Sequence, residues 1–374
     1  MISKKISLFI LLPLLGLSLS ACTFSLGSSS SATSAGPDLG GVFLSTDGGI
    51  NFKQQVAVPS VSGMPGSISS IDVNSLALDP SESTAIYLAS DNQGLFYSYN
   101  ITTGWNEVSS FPKITVTNVA VNPDNKCDIY ATFTNRLYRS VDCTRTWKQI
   151  YLDSDAQAVF TTFVIDFFNP SNLYLGTSNG DILKSIDGGT SWRVLKRLEN
   201  PIAKLVLSPR DSRQVYVATQ NAELYTFLSN TNTNPKTSAN IEANFALDNW
   251  TDLNKVLKDL AIGSSFRDLT IVPSDGSIFL ATDGVIVKSP DHGITWQKLN
   301  LLPSDKDGII RTIAVNPLNA KQLYYATNLT FFRSVDGGAT WSNKKLPTSR
   351  GASVILIDYK NPNNIYLGVR TISN

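Results

Sequence analysis

The feature that most constrains this chain is a repeated segment of the form Ser-x-Asp-x-Gly-x-Thr-Trp. A degenerate copy, in which Asn100 replaces the Asp, keeps the same spacing. Repetition at intervals of a few tens of residues indicates one supersecondary unit used many times. The copies are STDGGINF at 45–52, SYNITTGW at 98–105, SVDCTRTW at 140–147, SIDGGTSW at 185–192, SPDHGITW at 289–296 and SVDGGATW at 334–341.

A second block recurs upstream of these segments. It is a hydrophobic stretch that ends in Asn-Pro or a similar pair, followed by a short stretch that ends in a small residue and Thr. Residues 119–123 with 129–132 form one example, and residues 313–317 with 323–327 form another. Together the two blocks describe four short strands with a turn at each corner. A four-stranded unit of about 45 residues is typical of a β-propeller blade.

The number of units predicts the architecture. Two C-terminal strands, 354–358 and 365–369, and two N-terminal strands, 41–44 and 52–56, are left over and complement each other. Joining them completes a seventh blade and avoids an open sheet edge. We therefore predict an all-β fold, a seven-bladed β-propeller closed by N- and C-terminal strands that share one blade, as a single domain over 41–374. The six complete units span about 72–109, 115–152, 160–198, 202–254, 266–301 and 309–346.

The N-terminus has the organisation of an export signal. Lys4 and Lys5 precede an apolar run, 6–19, which is shorter than the about 20 residues that a spanning helix needs. The run ends in Leu-Ser-Ala-Cys, which resembles a bacterial lipobox with Cys22 as the acylated residue. An ordinary signal peptide with a chance Cys remains the alternative.

From this resemblance we predict three N-terminal features. Residues 1–21 are a lipoprotein signal peptide, Cys22 is lipidated, and residues 22–40 form a Ser/Gly-rich tether. Several acyl chains anchor a protein more firmly than one does. We expect a location in the cell envelope, on the extracytoplasmic side, with membrane attachment through this anchor.

The other two cysteines, Cys127 and Cys143, fall within one repeat. An oxidising compartment allows them to form a disulfide, and two free thiols are the alternative. The only histidine, His292, belongs to another repeat, so we expect no metal site and no cofactor.

Charge excludes one class of partner. The net charge is +1 and charged residues make up 16% of the chain, so no basic field favours nucleic acid. We expect a monomer that binds no nucleic acid.

The repeated segment resembles the Asp-box or BNR repeat of sialidases, sortilin-type receptors, xyloglucanases and the photosystem II stability/assembly factor family. In such a turn the carboxylate accepts hydrogen bonds from nearby backbone N–H groups, and the aromatic residue packs between blades. The resemblance implies structural rather than catalytic roles, on the face away from the ligand. The residues concerned are Asp47, Asp142, Asp187, Asp291, Asp336, Trp147, Trp192, Trp296 and Trp341.

Three functions are compatible with these motifs. A sialidase needs an early arginine, yet none precedes Arg136. A xyloglucanase-like enzyme uses a cleft between two propellers, whereas one ring is predicted here. The region 41–374 resembles the photosystem II assembly factor family, which implies a non-catalytic, lipid-anchored protein that binds membrane or envelope proteins. A carbohydrate-binding lectin and a glycoside hydrolase of the sialidase or xyloglucanase type remain alternatives, and no catalytic residue is assigned.

Three arginines are the candidate partner-binding residues. Arg267 and Arg311 each lie six residues before a proline that ends a first strand, and Arg370 follows the second strand of the next blade. We expect them to form a cationic arc beside the channel, suited to carboxylates. The alternative is local ion pairing with Asp268 and Asp307. The polar insertion at 228–248 is a second candidate, either functional or merely a long loop.

Overall fold

The computed structural model describes residues 37–60, 63–229, 249–302 and 308–372. Within these ranges the strands form seven four-stranded antiparallel sheets and one two-stranded ribbon. The predicted all-β, seven-bladed propeller is therefore confirmed.

The N-terminal strands and the first three complete blades come first along the chain. The N-terminal strands are β1 (Val42–Ser45) and β2 (Lys53–Gln55), and the ribbon is β3 (Ala57–Val58) with β4 (Gly66–Ser67). The first blade contains β5 (Val73–Leu78), β6 (Ile86–Ser90), β7 (Leu95–Ser98) and β8 (Asn106–Glu107). The second contains β9 (Asn118–Asn122), β10 (Asn125–Phe133), β11 (Arg136–Ser140) and β12 (Lys148–Leu152). The third contains β13 (Phe160–Ile165), β14 (Leu173–Thr177), β15 (Asp181–Ser185) and β16 (Arg193–Arg197).

Three further complete blades and two C-terminal strands follow. The fourth blade contains β17 (Ile202–Ser208), β18 (Asp211–Thr219), β19 (Leu224–Leu228) and β20 (Asn249–Asp252). The fifth contains β21 (Phe266–Ile271), β22 (Ile278–Thr282), β23 (Val285–Ser289) and β24 (Gln297–Lys298). The sixth contains β25 (Thr312–Val315), β26 (Leu323–Ala326), β27 (Thr330–Ser334) and β28 (Ser342–Lys345). The chain ends with β29 (Gly351–Ile357) and β30 (Ile365–Arg370).

The closing blade joins the two ends of the domain in the order β2-β1-β30-β29. Phe43 of β1 lies opposite Leu367 of β30, and both belong to one buried apolar cluster. The predicted closing blade, shared by the N- and C-terminal strands, is therefore present. Apolar residues on both strands set its register.

Residues 37–40, which the sequence assigned to the tether, also bond to the ring. The Leu39 N–H and carbonyl both pair with the Thr348 hydroxyl, at 3.2 and 2.7 Å. The Arg350 guanidinium is 9% exposed and pairs with Asp38 and Asp72, each at 2.7 Å. These contacts hold the first described residues against the closing blade.

Burial follows strand position within each blade. The second strands β6, β14 and β22 are buried along their whole length, whereas outermost strands such as β28 are exposed. A strand covered on both faces favours a continuous run of apolar and small residues. The seven first strands, β5, β9, β13, β17, β21, β25 and β29, contact their neighbours in turn around the ring.

The fourth blade departs from the others. β20 supplies the fourth strand, and a short helix, α1 (Asn254–Lys258), follows it. Most of the predicted insertion, residues 230–248, lies outside the described residues. Across the described ranges, the structure contains no helix long and apolar enough to span a bilayer.

Candidate functional site

A central cavity of about 610 Å³ lies where the innermost strands of all seven blades meet. Its charged lining residues among the described ranges are Lys204, Arg267, Asp268 and Arg311. Three cationic side chains against one carboxylate give the cavity a positive character, which favours anionic groups.

A recurring irregularity directs one side chain per strand into this cavity. In five innermost strands the pairing register shifts by one residue near the start, which is the pattern of a β-bulge. The residue skipped at each shift lines the cavity. These bulge residues are Asn74, Thr161, Ala203, Arg267 and Ser353. Bulges often re-aim side chains next to functional sites.

The cavity wall is held together by hydrogen bonds between blades. Asp268 Oδ1 accepts from Lys204 Nζ at 2.5 Å, which joins the fifth blade to the fourth. Asp268 Oδ2 accepts from the Thr312 hydroxyl at 2.9 Å and from the Ile313 N–H at 3.0 Å, which joins the fifth to the sixth. Asp268 is 9% exposed, so this carboxylate is a structural link rather than a free acid.

Two of the three predicted arginines, Arg267 and Arg311, line the cavity, and Arg370 is near enough for its charge to act on Arg311. Burial, and then the charges of Arg267 and Arg370, lower the pKa of Arg311 from its ordinary value. Arg311 is half-buried, and its Nε donates to Asn328 Oδ1 at 2.6 Å. We call Arg267, Arg311 and Arg370 the arginine arc.

The arginine arc is only partly neutralised. Arg267 pairs with Asp283 at 2.5 Å rather than with Asp268, which corrects the alternative considered from sequence. Asp307, the other partner considered, lies outside the described residues. The Arg370 side chain is exposed and forms no hydrogen bond or ion pair with residues in the described ranges. Among the described residues, Asp283 is therefore the one carboxylate that is ion-paired with the arc.

The face that carries the arc is formed by the turns between second and third strands and by the loops that lead into first strands. We call it the channel face. Across this face, the second and third blades place Asp153, Asp155 and Asp181 near one another. Their charges raise the pKa of Arg197, chiefly through the hydrogen bond from Arg197 to Asp181. The channel face thus has a cationic sector and an acidic sector, an arrangement that orients a charged partner.

The repeated Ser-x-Asp turns lie on the opposite face, between third and fourth strands. In one copy Asp187 Oδ1 accepts from the N–H groups of Thr190 and Ser191 at 3.0 and 2.9 Å. The Ser185 hydroxyl donates to the same oxygen at 2.8 Å and accepts the Gly189 N–H at 2.9 Å. The same pattern recurs at Asp47, Asp142, Asp291 and Asp336. All donors belong to the turn itself, so these aspartates stabilise the turn.

The aromatic residues after these turns pack at blade boundaries. Trp192 of the third blade stacks on Tyr151 of the second, with ring centroids 5.2 Å apart. Trp341 donates from Nε1 to the carbonyl of Asn300, in the loop before its own blade. Trp147 contacts Phe111 at 4.8 Å, and Trp296 belongs to the cluster between the fourth and fifth blades.

We expect these turns to make stability sensitive to acid. Hydrogen bonds lower the pKa values of Asp47, Asp142 and Asp336 from 3.8 to about 2. The main donor is the Asn51 backbone for Asp47 and a Thr side chain for each of the other two. A carboxyl with a depressed folded-state pKa stabilises above its unfolded value, and this contribution is lost as pH falls through the folded value. The urea concentration at the unfolding midpoint should therefore decrease as the pH is lowered from about 4 to about 2. This decrease should be smaller for Asp336→Asn. An equal change for Asp124→Asn, an exposed aspartate outside these turns, would contradict this account.

Cys127 and Cys143 are joined by a disulfide within the second blade. Cys127 lies in β10, and Cys143 lies in the turn between β11 and β12. Cys143 and Thr144 have φ values of 57° and 67°, where the third blade has Gly188 and Gly189 at 71° and 91°. Left-handed backbone is unfavourable for residues with a Cβ. The cross-link thus lies at a turn in which Cys143 and Thr144 occupy the positions of these two glycines.

Sequence reasoning missed Lys204, which lines the cavity, and Arg350, which holds Asp38 and Asp72 at the closing blade. Lys204 and Arg350 find their partners through the ring, across 64 residues in one case and across 278 and 312 residues in the other. A charged residue inside an otherwise apolar first strand was the available signal for Lys204. Within the described ranges, no group of three or more His, Cys, Asp or Glu residues is placed to hold a metal.

No protein-family model and no curated protein matches the chain. Solved structures with a similar fold include the GH74 xyloglucanase from Xanthomonas campestris, with a TM-score of 0.59 and 15% identity over 80% of this chain. The chain spans about half (51%) of that enzyme. YCF48 bound to D1 peptide has a TM-score of 0.58 and 14% identity, over 90% of this chain and 100% of that one. YCF48 from Cyanidioschyzon merolae has a TM-score of 0.57 and 13% identity, over 83% and 97%. Similarity at this level shows the propeller fold alone.

Proposed function

We propose that this chain is a non-catalytic envelope lipoprotein that binds an acidic segment of a protein partner on its channel face. Its specific role would be that of an assembly or stability factor for membrane protein complexes, like the photosystem II assembly factors. The observation that carries this proposal is the arginine arc, because its charges are gathered in one sector and only partly paired.

The energetics of the arc favour an anionic partner. Burial and then repulsion from the like charges of Arg267 and Arg370 lower the pKa of Arg311. A partner carboxylate would offset this repulsion and could accept two N–H groups from one guanidinium. The acidic sector around Asp155 would disfavour the reversed orientation.

The structural neighbours are consistent with protein binding. The YCF48 structure that this chain covers in full length contains a bound D1 peptide. Because one neighbour is a xyloglucanase, glycosidase activity is the alternative function. Such enzymes need two carboxyl groups that flank the scissile bond. Among the described residues that line the central cavity, Asp268 is the only carboxylate, and its two oxygens are already bonded to Lys204 and Thr312. This observation favours binding over hydrolysis.

Membrane attachment is part of the proposal. It is supported by the lipobox-like sequence that ends at Cys22 and by the Ser/Gly-rich residues that follow. Residues 1–36 lie outside the described residues. An anchored propeller would keep its channel face within reach of membrane-protein segments at the bilayer surface.

Replacing Arg267 and Arg311 by Glu is expected to lower partner capture about 100-fold, because reversing desolvated charges costs several kcal/mol. The measurement is in-cell crosslinking of the full-length chain, followed by identification of the captured membrane proteins. Arg197→Glu is the matched control, since Arg197 is also on the channel face but lies in the acidic sector.

A Cys22→Ser chain in the same experiment separates binding from anchoring. It should lose membrane attachment and acyl labelling while purified material keeps its affinity for a captured partner. Unchanged capture by the double arginine variant would refute the arc as the binding site. Recovery of glycans instead of proteins would refute the proposed function and support the lectin alternative.

A further inference from the structure

The Ser-x-Asp turn of the second blade, residues 140–147, has a less favourable backbone than its counterparts. Cys143 and Thr144 both have left-handed φ values, 57° and 67°. In the described part of the chain, no other turn that keeps the Asp has side chains at both positions. The fifth blade has His292 at the first position but keeps Gly293 at the second, and the remaining copies have two glycines. Because a Cβ disfavours left-handed backbone, the second-blade turn has a conformational cost that the other turns avoid.

The second-blade turn also lacks a hydrogen bond that supports the equivalent turn of the third blade. There, Trp192 donates from Nε1 to the Gly189 carbonyl at 3.1 Å. The buried Nε1 of Trp147 has no hydrogen-bond partner among the residues that the structure describes. The equivalent carbonyl, that of Thr144, accepts instead from the hydroxyl of Ser110, in the loop that follows the first blade. The turn is therefore supported from the neighbouring blade rather than by its own tryptophan.

The disulfide joins two positions that another blade connects by a backbone hydrogen bond alone. The Cys143 N–H donates to the Cys127 carbonyl at 3.1 Å, and the Gly188 N–H donates to the Ser171 carbonyl at 2.9 Å in the third blade. In the second blade the side chains of this pair are also joined, across 16 residues of sequence. A disulfide restricts the unfolded chain and so stabilises the folded one. Here it acts at the turn whose backbone is least favourable.

The disulfide lies where a small thiol can reach it. Both cysteines are partly exposed. Cys143 lines a surface cavity of about 400 Å³ together with Tyr99 and Arg145. A disulfide is reduced when a thiolate attacks one of its sulfur atoms and forms a mixed disulfide. The cationic side chain of Arg145 favours the approach of such an anion.

We propose that the Cys127–Cys143 disulfide is a redox-sensitive fastening of the second-blade turn and of its boundary with the first blade. A dithiol reductant breaks the S–S bond by supplying two electrons and two protons. Both cysteines become thiols and the reductant becomes its own disulfide. The turn then keeps its left-handed residues without the cross-link, which loosens the contact between Trp147 and Phe111, now 4.8 Å between ring centroids. The site lies on the face opposite the arginine arc and does not depend on the proposed partner binding.

The first test is hydrogen exchange of the purified folded chain before and after treatment with dithiothreitol, with thiol titration to follow the reduction. The backbone amides of residues 142–146 should exchange about tenfold faster after reduction, because local opening becomes easier. Those of the third-blade turn, residues 185–192, should keep their rate. Unchanged exchange at 142–146 would overturn the proposal, as would a disulfide that resists dithiothreitol in the folded chain.

The second test asks whether glycine can replace the disulfide. Cys127→Ala/Cys143→Ala should lower the Tm by about 5 °C relative to the oxidised chain. Cys127→Ala/Cys143→Gly/Thr144→Gly should regain about half of this loss, because glycine adopts left-handed backbone freely.

The matched control is Cys127→Ala/Cys143→Ala/Arg145→Gly, which adds glycine at a position of the same turn that is not left-handed. It should regain nothing. Equal Tm values for this control and the Cys143→Gly/Thr144→Gly variant would overturn the proposal. If the cysteine-free chain fails to fold, the two glycines should restore folding and the control should not.

Discussion

Deleting residues 42–55, which form β1 and β2, is expected to prevent the chain from forming a stable closed ring. The deletion removes Val42, Phe43 and Leu44, all 6% exposed or less, and uncovers the edge of β30. Burial of each such side chain contributes about 1.5–3 kcal/mol, and a whole domain is stable by only about 5–15 kcal/mol. Circular dichroism and urea unfolding should therefore show loss of the cooperative transition.

A circular permutant is the matched control for this deletion. The Val369 N–H bonds to the Gly41 carbonyl at 3.2 Å, so the two ends of the domain lie together. Moving residues 37–59 behind residue 372 through a short Gly/Ser linker should restore all four strands as one contiguous blade. A deletion variant that unfolds as cooperatively as the permutant would show that ring closure contributes little.

The success of the sequence prediction for this fold has a physical basis. Each blade repeats the same turn residues and the same apolar second strand. A strand that is ambiguous in one repeat can therefore be assigned from the equivalent strands of the other repeats. The two incomplete units at 41–56 and 354–369 could complete a blade only by pairing with each other. The position of Phe43 opposite Leu367 confirms this pairing. Blade boundaries agreed with the observed strands within a few residues.

The site was harder to predict because it depends on contacts between repeats. The equivalence of Arg267 and Arg311 followed from their distance to a proline, and the structure brings both to the cavity. Their partners did not follow from spacing, since Arg267 pairs with Asp283 across the hairpin while Asp268 pairs with Lys204 of another blade. Adjacent residues of a regular strand point to opposite faces, whereas the β-bulge at Arg267 brings Arg267 and Asp268 to the same cavity wall. Strict alternation therefore misassigns the partners at this position.

Asp268→Ala is expected to destabilise the propeller by about 3 kcal/mol, because it leaves buried donors unsatisfied at about 1–3 kcal/mol each. Asp268 accepts the N–H groups of Leu269 at 2.8 Å and Ile313 at 3.0 Å, besides the Thr312 hydroxyl. The ion pair with Lys204 adds less, since that side chain is 39% exposed and hydrates readily when freed. Urea or thermal unfolding measures the total loss.

Asp268→Asn separates hydrogen bonding from charge at the same position. The amide keeps one acceptor oxygen and can donate to the Thr312 hydroxyl, so its loss should be about half that of Asp268→Ala. Lys204→Met in each background completes a double-mutant cycle, and its coupling energy should be below about 1 kcal/mol. A large coupling energy, or equal stability of the Ala and Asn variants, would assign the stabilisation to the ion pair instead. The small coupling expected here means that the carboxylate stabilises mainly by accepting hydrogen bonds from its own blade and from the sixth blade. These bonds also keep Arg267 and Arg311 at their positions on the cavity wall.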